Sequence, residues 1–393
     1  MSASAAGPTG ERLGLVLTGG GARAAYQAGA LRAIAEVFGP GPLPFRVLAG
    51  TSAGAINVAF LAARADDFRA GARRLHELWA GLTPADVYRA DPLALGRTGA
   101  RLVAQLGSGG LFGGGGGGAT SLLDSEPLRR LLGSCIDFGA IERALARGTL
   151  HGVAVSATNY RSGTAISFYA GDESIEPWSR TSRLGRRARL TLDHVLASAA
   201  IPVFFRPVQV EGSDYGDGCI RLTAPLSPAV HLGADRILAI GIRYYRPERE
   251  TVLLNRPRPP GPISLADVGG VLLNAVFLDS LESDLERLDR INRTLALIPP
   301  ERGGELTSGL RPIPCLAFRP SADLGNLASH RFHDLPAALR YLLRGIGASD
   351  ERGWDLMSYL AFDPHYTLPL LDLGYGDAIG RRAEIERFLG RTA

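Results

Sequence analysis

Ser52 lies in Gly50-Thr51-Ser52-Ala53-Gly54, a G-x-S-x-G pattern between an apolar run at 45–49 and an alanine-rich run at 55–65. A strand that bends sharply into a helix at this spacing projects a serine hydroxyl from the bend, and the flanking glycines remove side chains that would clash there. The N-terminal amides of the helix starting at Ala53 aim at negative charge developing beside that hydroxyl. A second glycine turn, Gly19-Gly20-Gly21-Ala22-Arg23, follows the apolar run 13–18. Its N–H groups, gathered at a helix start, converge on one oxygen as an oxyanion site requires. Together the two turns suit serine attack on an ester carbonyl. Residues 19–24 also satisfy G-x-G-x-x-A, a dinucleotide loop, but no acidic residue ends a second strand about 20 residues on, where a ribose partner belongs.

A serine hydroxyl needs a base, and histidine is the usual one beside such a bend. His151, His194, His231, His330, His333 and His365 are the candidates. His194 and His231 fall inside helical stretches, where packed or surface roles are common, and neither follows a strand on a loop. Asp217 does so in Tyr215-Gly216-Asp217-Gly218, where glycines on both sides permit a tight turn and leave the carboxylate facing a cleft. Asp-Gly also marks ordinary β-turns. Residue types alone therefore leave the base open between Asp217 and a histidine.

These turns need elements to hold them. Strand, glycine turn and helix occur twice in succession, over 13–36 and 45–65, which implies a parallel sheet covered by helices. Further strands are predicted at 151–158, 164–169, 208–210, 236–241 and 314–318, and helices at 67–80, 125–135, 141–146, 190–200, 335–344 and 378–389. Over 265–297 the apolar positions Val268, Leu272, Ala275, Val276, Leu281, Leu285, Leu288 and Ile291 recur at helical spacing, predicting one helix whose stripe packs on the core rather than on a membrane. Nine glycines within 107–118 prevent a packed element there and suit a disordered insertion or a flap near a cleft. The expected organisation is a disordered tail over 1–12, a catalytic domain over 13–245 and a mainly helical C-terminal extension over 246–393.

Composition narrows the function classes. The chain has 393 residues, 46% apolar and 21% charged, enough for a substantial core. Its 43 basic residues are all arginine and only slightly outnumber 39 acidic ones; a net +4 without a basic stripe argues against nucleic acid as partner. Cys135, Cys219 and Cys315 are odd in number and lack CxxC spacing, which argues against a disulfide framework or a zinc site and fits a reducing, cytoplasmic setting. No apolar run approaches the ~18–20 residues of a membrane span, so membrane contact is expected to be peripheral, on the inner face. The C-terminal helices leave membrane docking and homo-oligomer formation both open.

Four ordered motifs, Gly19-Gly20-Gly21-Ala22-Arg23, Gly50-Thr51-Ser52-Ala53-Gly54, Ala197-Ser198-Ala199-Ala200-Ile201-Pro202 and Asp217-Gly218, make the stretch 13–241 resemble the patatin-like phospholipase family. The resemblance implies an α/β fold, a three-layer α/β/α core with a mostly parallel central sheet. It implies a Ser-Asp dyad with Ser52 as nucleophile and Asp217 as base, and an oxyanion hole from Gly19, Gly20, Gly21, Ala22 and Arg23. Gly50, Gly54 and Gly218 support the motif, and the 198–202 segment shapes the core beside the site without catalytic duty. It further implies hydrolysis of lipid acyl esters, of phospholipid or lysophospholipid type, with no metal or other cofactor. A silent lipid-binding protein on the same fold has no need of Ser52 and Asp217 together. One position departs from the family, which commonly carries glycine or alanine after Asp-Gly; here Cys219 narrows the space beside Asp217.

Overall fold

Leu13–Leu17 (β1) is apolar without alternation, and all but its first residue are buried, as a central parallel strand covered on both faces must be. The other strands are Phe45–Thr51 (β2), Gly152–Asn159 (β3), Thr164–Gly171 (β4), Trp178–Arg180 (β5), Arg183–Arg187 (β6), Val208–Val210 (β7), Ser213–Asp217 (β8), Arg236–Ile240 (β9) and Cys315–Phe318 (β10). The computed structural model describes residues 10–89, 121–255, 263–299, 310–329 and 331–390. The glycine-rich segment 107–118, residues 1–9 of the N-terminal tail and His330 lie outside the described residues.

Among the described residues the strands form one ten-stranded sheet in the order β10-β9-β1-β2-β3-β4-β6-β5, with the β7–β8 hairpin attached to β3. From β10 to β3 every pairing is parallel, and the antiparallel pairs gather at the β3–β4 side. Side chains alternate between two cores. Leu15, Leu17 and Leu48 face one that contains the helices Ala25–Phe38 (α1), Ala53–Ala62 (α2) and Phe68–Ala80 (α3). Val16, Val47 and Ala154 face the other, with Ala229 of helix Ser227–His231 and Leu281 of helix Asp279–Ala296. Helix, sheet and helix are therefore stacked in three layers, the expected α/β/α core.

The C-terminal region is tied into this core. β10 extends the sheet beyond β9, and helix Pro364–Gly380 packs along α1. Helix was expected in this stretch only from 378 onward, whereas it begins at Pro364. Pro364 occupies the first turn, where a missing N–H costs nothing. Gly374 permits close packing, because a Cβ there would lie 2.1 Å from the Tyr26 carbonyl oxygen. The predicted helix over 265–297 is two helices, Leu265–Phe277 and Asp279–Ala296. The apolar stripe of the second reaches the core through Leu281, Leu285 and Leu288. In the first, Val268 and Leu272 are exposed and Ala266, Gly270 and Phe277 are buried, contrary to the core-packing expectation.

Gly374→Ala is expected to destabilise the protein by about 1–3 kcal/mol, since neither backbone can yield easily. Gly376→Ala in the same helix meets open space and is expected to be neutral or to stabilise by up to about 1 kcal/mol. Urea unfolding of both variants checks the pair; equal effects would contradict the close helix contact.

Candidate active site

β2 and β8 lie along the same side of β3 and run toward each other. β2 is parallel to β3 and ends at Thr51 opposite Ser156, while β8 is antiparallel and ends at Asp217 opposite Ala157. Their C-terminal ends therefore meet, and the next residue of β2 is Ser52. The Ser52 hydroxyl donates a hydrogen bond to Asp217 Oδ2 at 2.5 Å. Both residues are buried, at 1% and 0% exposure.

Ser52 has φ 54° and ψ −130°, a conformation that costs a non-glycine residue on the order of 1–3 kcal/mol. Several contacts hold it there. Its N–H donates to Ser198 Oγ at 2.9 Å, and that hydroxyl donates in turn to the Ser156 carbonyl at 2.5 Å. This gives the 198–202 segment its place: Ser198 clamps the bend to β3. The motif glycines allow the surrounding backbones to close up, since a Cβ on Gly50, Gly54 or Gly218 would lie 2.6, 2.2 or 2.1 Å from a carbonyl oxygen.

Asp217 was expected to face a cleft and is instead fully buried. Its Oδ1 accepts from the Cys219 N–H at 2.9 Å, its own N–H donates to the Ala200 carbonyl, and Thr158 Oγ1 donates to its carbonyl. Burial pushes the carboxyl up to about 7, against the hydrogen bonds from Ser52 and Cys219 that favour the charged form. Burial and the neighbouring carboxylate push the Cys219 thiol up as well, so it stays neutral beside the site.

The glycine turn divides into two parts. A Cβ on Gly19 would lie 2.5 Å from that of Ser52, so the turn borders the hydroxyl. The Ala22 N–H is committed to the Tyr359 carbonyl at 3.1 Å and the Arg23 N–H to the Gly20 carbonyl at 3.2 Å. The expectation that Ala22 and Arg23 donate to an oxyanion is thereby corrected; the amides of Gly20 and Gly21 have no acceptor among the described residues. The Arg23 side chain is buried and points to the C-terminal region, donating to Ser358 Oγ and Asp355 Oδ1, both at 2.8 Å, over the Tyr359 ring. Asp355, Ser358 and Tyr359 are not among the residues that the motifs single out. A buried arginine demands a carboxylate, but nothing local says that it lies 332 residues away.

No described histidine bonds to Ser52 or Asp217. His194 Nδ1 accepts from the Thr191 N–H, capping its own helix, and the ring packs on Phe168; burial lowers its pKa. His231 stacks on Trp178 in the opposite core, pushed down to about 4 by burial and by Arg180 and Arg183. His151 meets Arg12, and His333 and His365 lie beside surface aspartates.

From Ser52 and Gly21 a narrow apolar slot of about 30 Å³ runs between Ile56, Trp79, Leu82, Leu128, Leu132, Phe205 and Phe362. On the other side of the glycine turn, past Ile242, is a wider polar cavity of about 740 Å³ reaching Arg23, Tyr244 and Asn274.

The pattern of the patatin-like phospholipase family matches residues 15–230, which include both glycine turns, Ser52 and Asp217. The chain belongs to that family. Patatin-like membership supports lipid hydrolysis as its function at the level of class. Among solved structures, human GIVD cytosolic phospholipase A2 in complex with methyl gamma-linolenyl fluorophosphonate and terbium chloride is similar at 15% identity, with a TM-score of 0.42 over 96% of this chain. This chain spans 59% of that protein's length. VipD from Legionella pneumophila is similar at 12% identity, with a TM-score of 0.35 over 92% of this chain and 67% of its own. No curated protein sequence matches. Among the described residues no helix is long and apolar enough to cross a membrane.

The Asp217 proton is held more tightly in the fold than in the unfolded chain, where the ordinary value is 3.8. The stability it contributes is full below that value and is lost as pH rises through about 7. Asp217→Asn stays neutral, so its melting temperature should gain on wild type as pH rises from about 5 to about 8. Melting curves across that range check this; a constant difference would contradict a raised Asp217.

Proposed function

We propose that this patatin-like protein hydrolyses lipid acyl esters through a Ser52–Asp217 dyad and an acyl-enzyme. The observation that carries the reading is the buried 2.5 Å hydrogen bond from Ser52 Oγ to Asp217, a carboxyl whose pKa of about 7 suits a base at neutral pH. Asp217 takes the Ser52 proton as Oγ attacks the ester carbonyl. The Gly20 and Gly21 amides hold the resulting oxyanion, each worth about 3–4 kcal/mol if well aimed. Collapse of the tetrahedral adduct expels the alcohol, which leaves with the proton from Asp217. Water then attacks the acyl-enzyme, Asp217 accepts its proton, and Ser52 is re-protonated as the fatty acid departs.

The apolar slot beside Ser52 suits the acyl chain. Its narrowness means that Leu82, Leu128 and their neighbours must shift for a long chain, since about 30 Å³ falls far short of the roughly 300–1,000 Å³ of a formed ligand pocket. Phospholipid or lysophospholipid at a membrane surface is the substrate class we favour. No metal or other cofactor enters this scheme.

Four variants and a pH profile test it. A fluorophosphonate probe should label Ser52, and Ser52→Ala should lose both labelling and turnover of a short-chain fluorogenic ester. Asp217→Asn should lose about 10²- to 10⁴-fold in turnover with the fold retained, whereas His194→Ala and His231→Ala should stay active. In wild type, kcat/KM should rise with pH through about 7 as Asp217 deprotonates. Full activity of the serine or aspartate variant, or loss in a histidine variant, would remove the dyad.

A further inference from the structure

Helix Leu265–Phe277 buries Phe277 and packs Leu273 and Val276 against the core, yet a second set of large apolar residues points outward, where a water-soluble helix places polar ones. Its buried face includes Ala266 and Gly270, and a Cβ on Gly270 would lie 2.9 Å from that of Asp355. Outward are Leu265 at 70% exposure, Val268 at 45%, Val271 at 66% and Leu272 at 62%, preceded by Ile263. The one charged residue of 263–278, Asp267, is tied to Ser264 and to the Gly353 N–H. Across the polar cavity, helix Glu248–Leu254 also exposes Val252 and Leu253.

The opposite, buried side of this helix borders the candidate site. The helix touches Gly218–Ile220, the turn after Asp217, and Trp354–Ser358, which anchors Arg23. Its Asn274 accepts a hydrogen bond from Tyr359, the residue whose carbonyl holds Ala22.

We propose that the outward face of Leu265–Phe277 docks the protein on an uncharged lipid surface, inserting Leu265, Val268, Val271 and Leu272 from a helix that packs on the turn after Asp217 and on the anchor of Arg23. The proposal rests on the lipid-ester reading of that site. The composition favours lipid over a second protein: the face is aliphatic, whereas protein–protein hot spots concentrate Trp, Tyr and Arg and under-represent Leu and Val. Among the described residues the flanking charges alternate, as in Glu248-Arg249-Glu250 and Glu351-Arg352, and Arg243 and Arg246 are paired with Asp279 and Asp323 rather than gathered into a free basic cluster of the kind that recognises anionic lipid. Apolar burial therefore drives the association.

The test uses the full chain carrying Ser52→Ala, so that binding is read without turnover, and co-sedimentation with phosphatidylcholine vesicles. Binding is expected, unchanged by added salt, and weaker by about tenfold or more with Val268→Glu/Leu272→Glu. Val268→Ser/Leu272→Ser, a milder change, should weaken it less. With Ser52 intact, both double variants should turn over the soluble ester as wild type does and lose activity on vesicles. The proposal is overturned by absent vesicle binding, by binding indifferent to the substitutions, or by binding that requires phosphatidylserine and fades with salt. It is equally overturned if both pairs lower the melting temperature, meaning the chain itself covers this face, or if they convert a dimer to a monomer in sedimentation velocity. Loss of soluble-ester turnover in wild type would instead sink the hydrolase reading, because the binding measurement does not depend on it.

Discussion

The structure is organised around a carboxylate without a cation. Asp217 is fully buried and, among the described residues, no arginine or histidine bonds to it. A charge in that position is tolerable only because the Ser52 hydroxyl and the Cys219 amide donate to it. Burial and hydrogen bonding pull in opposite directions, and their balance leaves the group near neutrality in its affinity for a proton. A charged partner would hold the carboxylate in its ionised form and make it a poorer base. The same balance costs the fold stability at high pH, a cost of the kind often found where a site is built for chemistry.

Keeping two such residues 2.5 Å apart is work for the sheet. β3 serves as a common rail: it aligns β2 from one end and β8 from the other, so register on β3 sets the distance between Ser52 and Asp217. The strained backbone of Ser52 persists because Ser198 bonds it to the Ser156 carbonyl of that same strand. The glycine turn is fixed from the opposite direction, by the C-terminal region, through Arg23 and the Tyr359 carbonyl. Anchoring Ala22 and Arg23 leaves the Gly20 and Gly21 amides without an acceptor among the described residues, as the proposed oxyanion site requires.

The environment around this centre is divided by chemistry. An apolar slot opens at Ser52, a polar cavity lies behind the glycine turn, and the Asp217 turn and the Arg23 anchor are packed by a helix whose outward side is aliphatic. The proposed lipid-ester substrate, with one apolar chain and one polar head, matches such a division.

Much of the scaffold was legible in the residues themselves. Apolar runs ended by glycines mark β1 and β2 and the bends after them, because those signals are local: burial on both faces needs continuous apolar side chains, and sharp bends need glycine. The order of four motifs likewise singled out Ser52, Asp217 and the 198–202 segment. Other features depend on residues far apart in the chain and were decided only in three dimensions. Periodicity over 265–297 revealed an apolar stripe but not which side other chain would cover, and residues 364–377 of helix Pro364–Gly380 went unpredicted, Gly374 there being a contact point with Tyr26. Which amides of the glycine turn stay free depends on Tyr359, and Arg23 finds its carboxylate 332 residues away. The sequence by itself determined which groups are present to react. Their proton affinity was set by tertiary structure, because an aspartate acquires a pKa near 7 only when the packed chain removes water from around it.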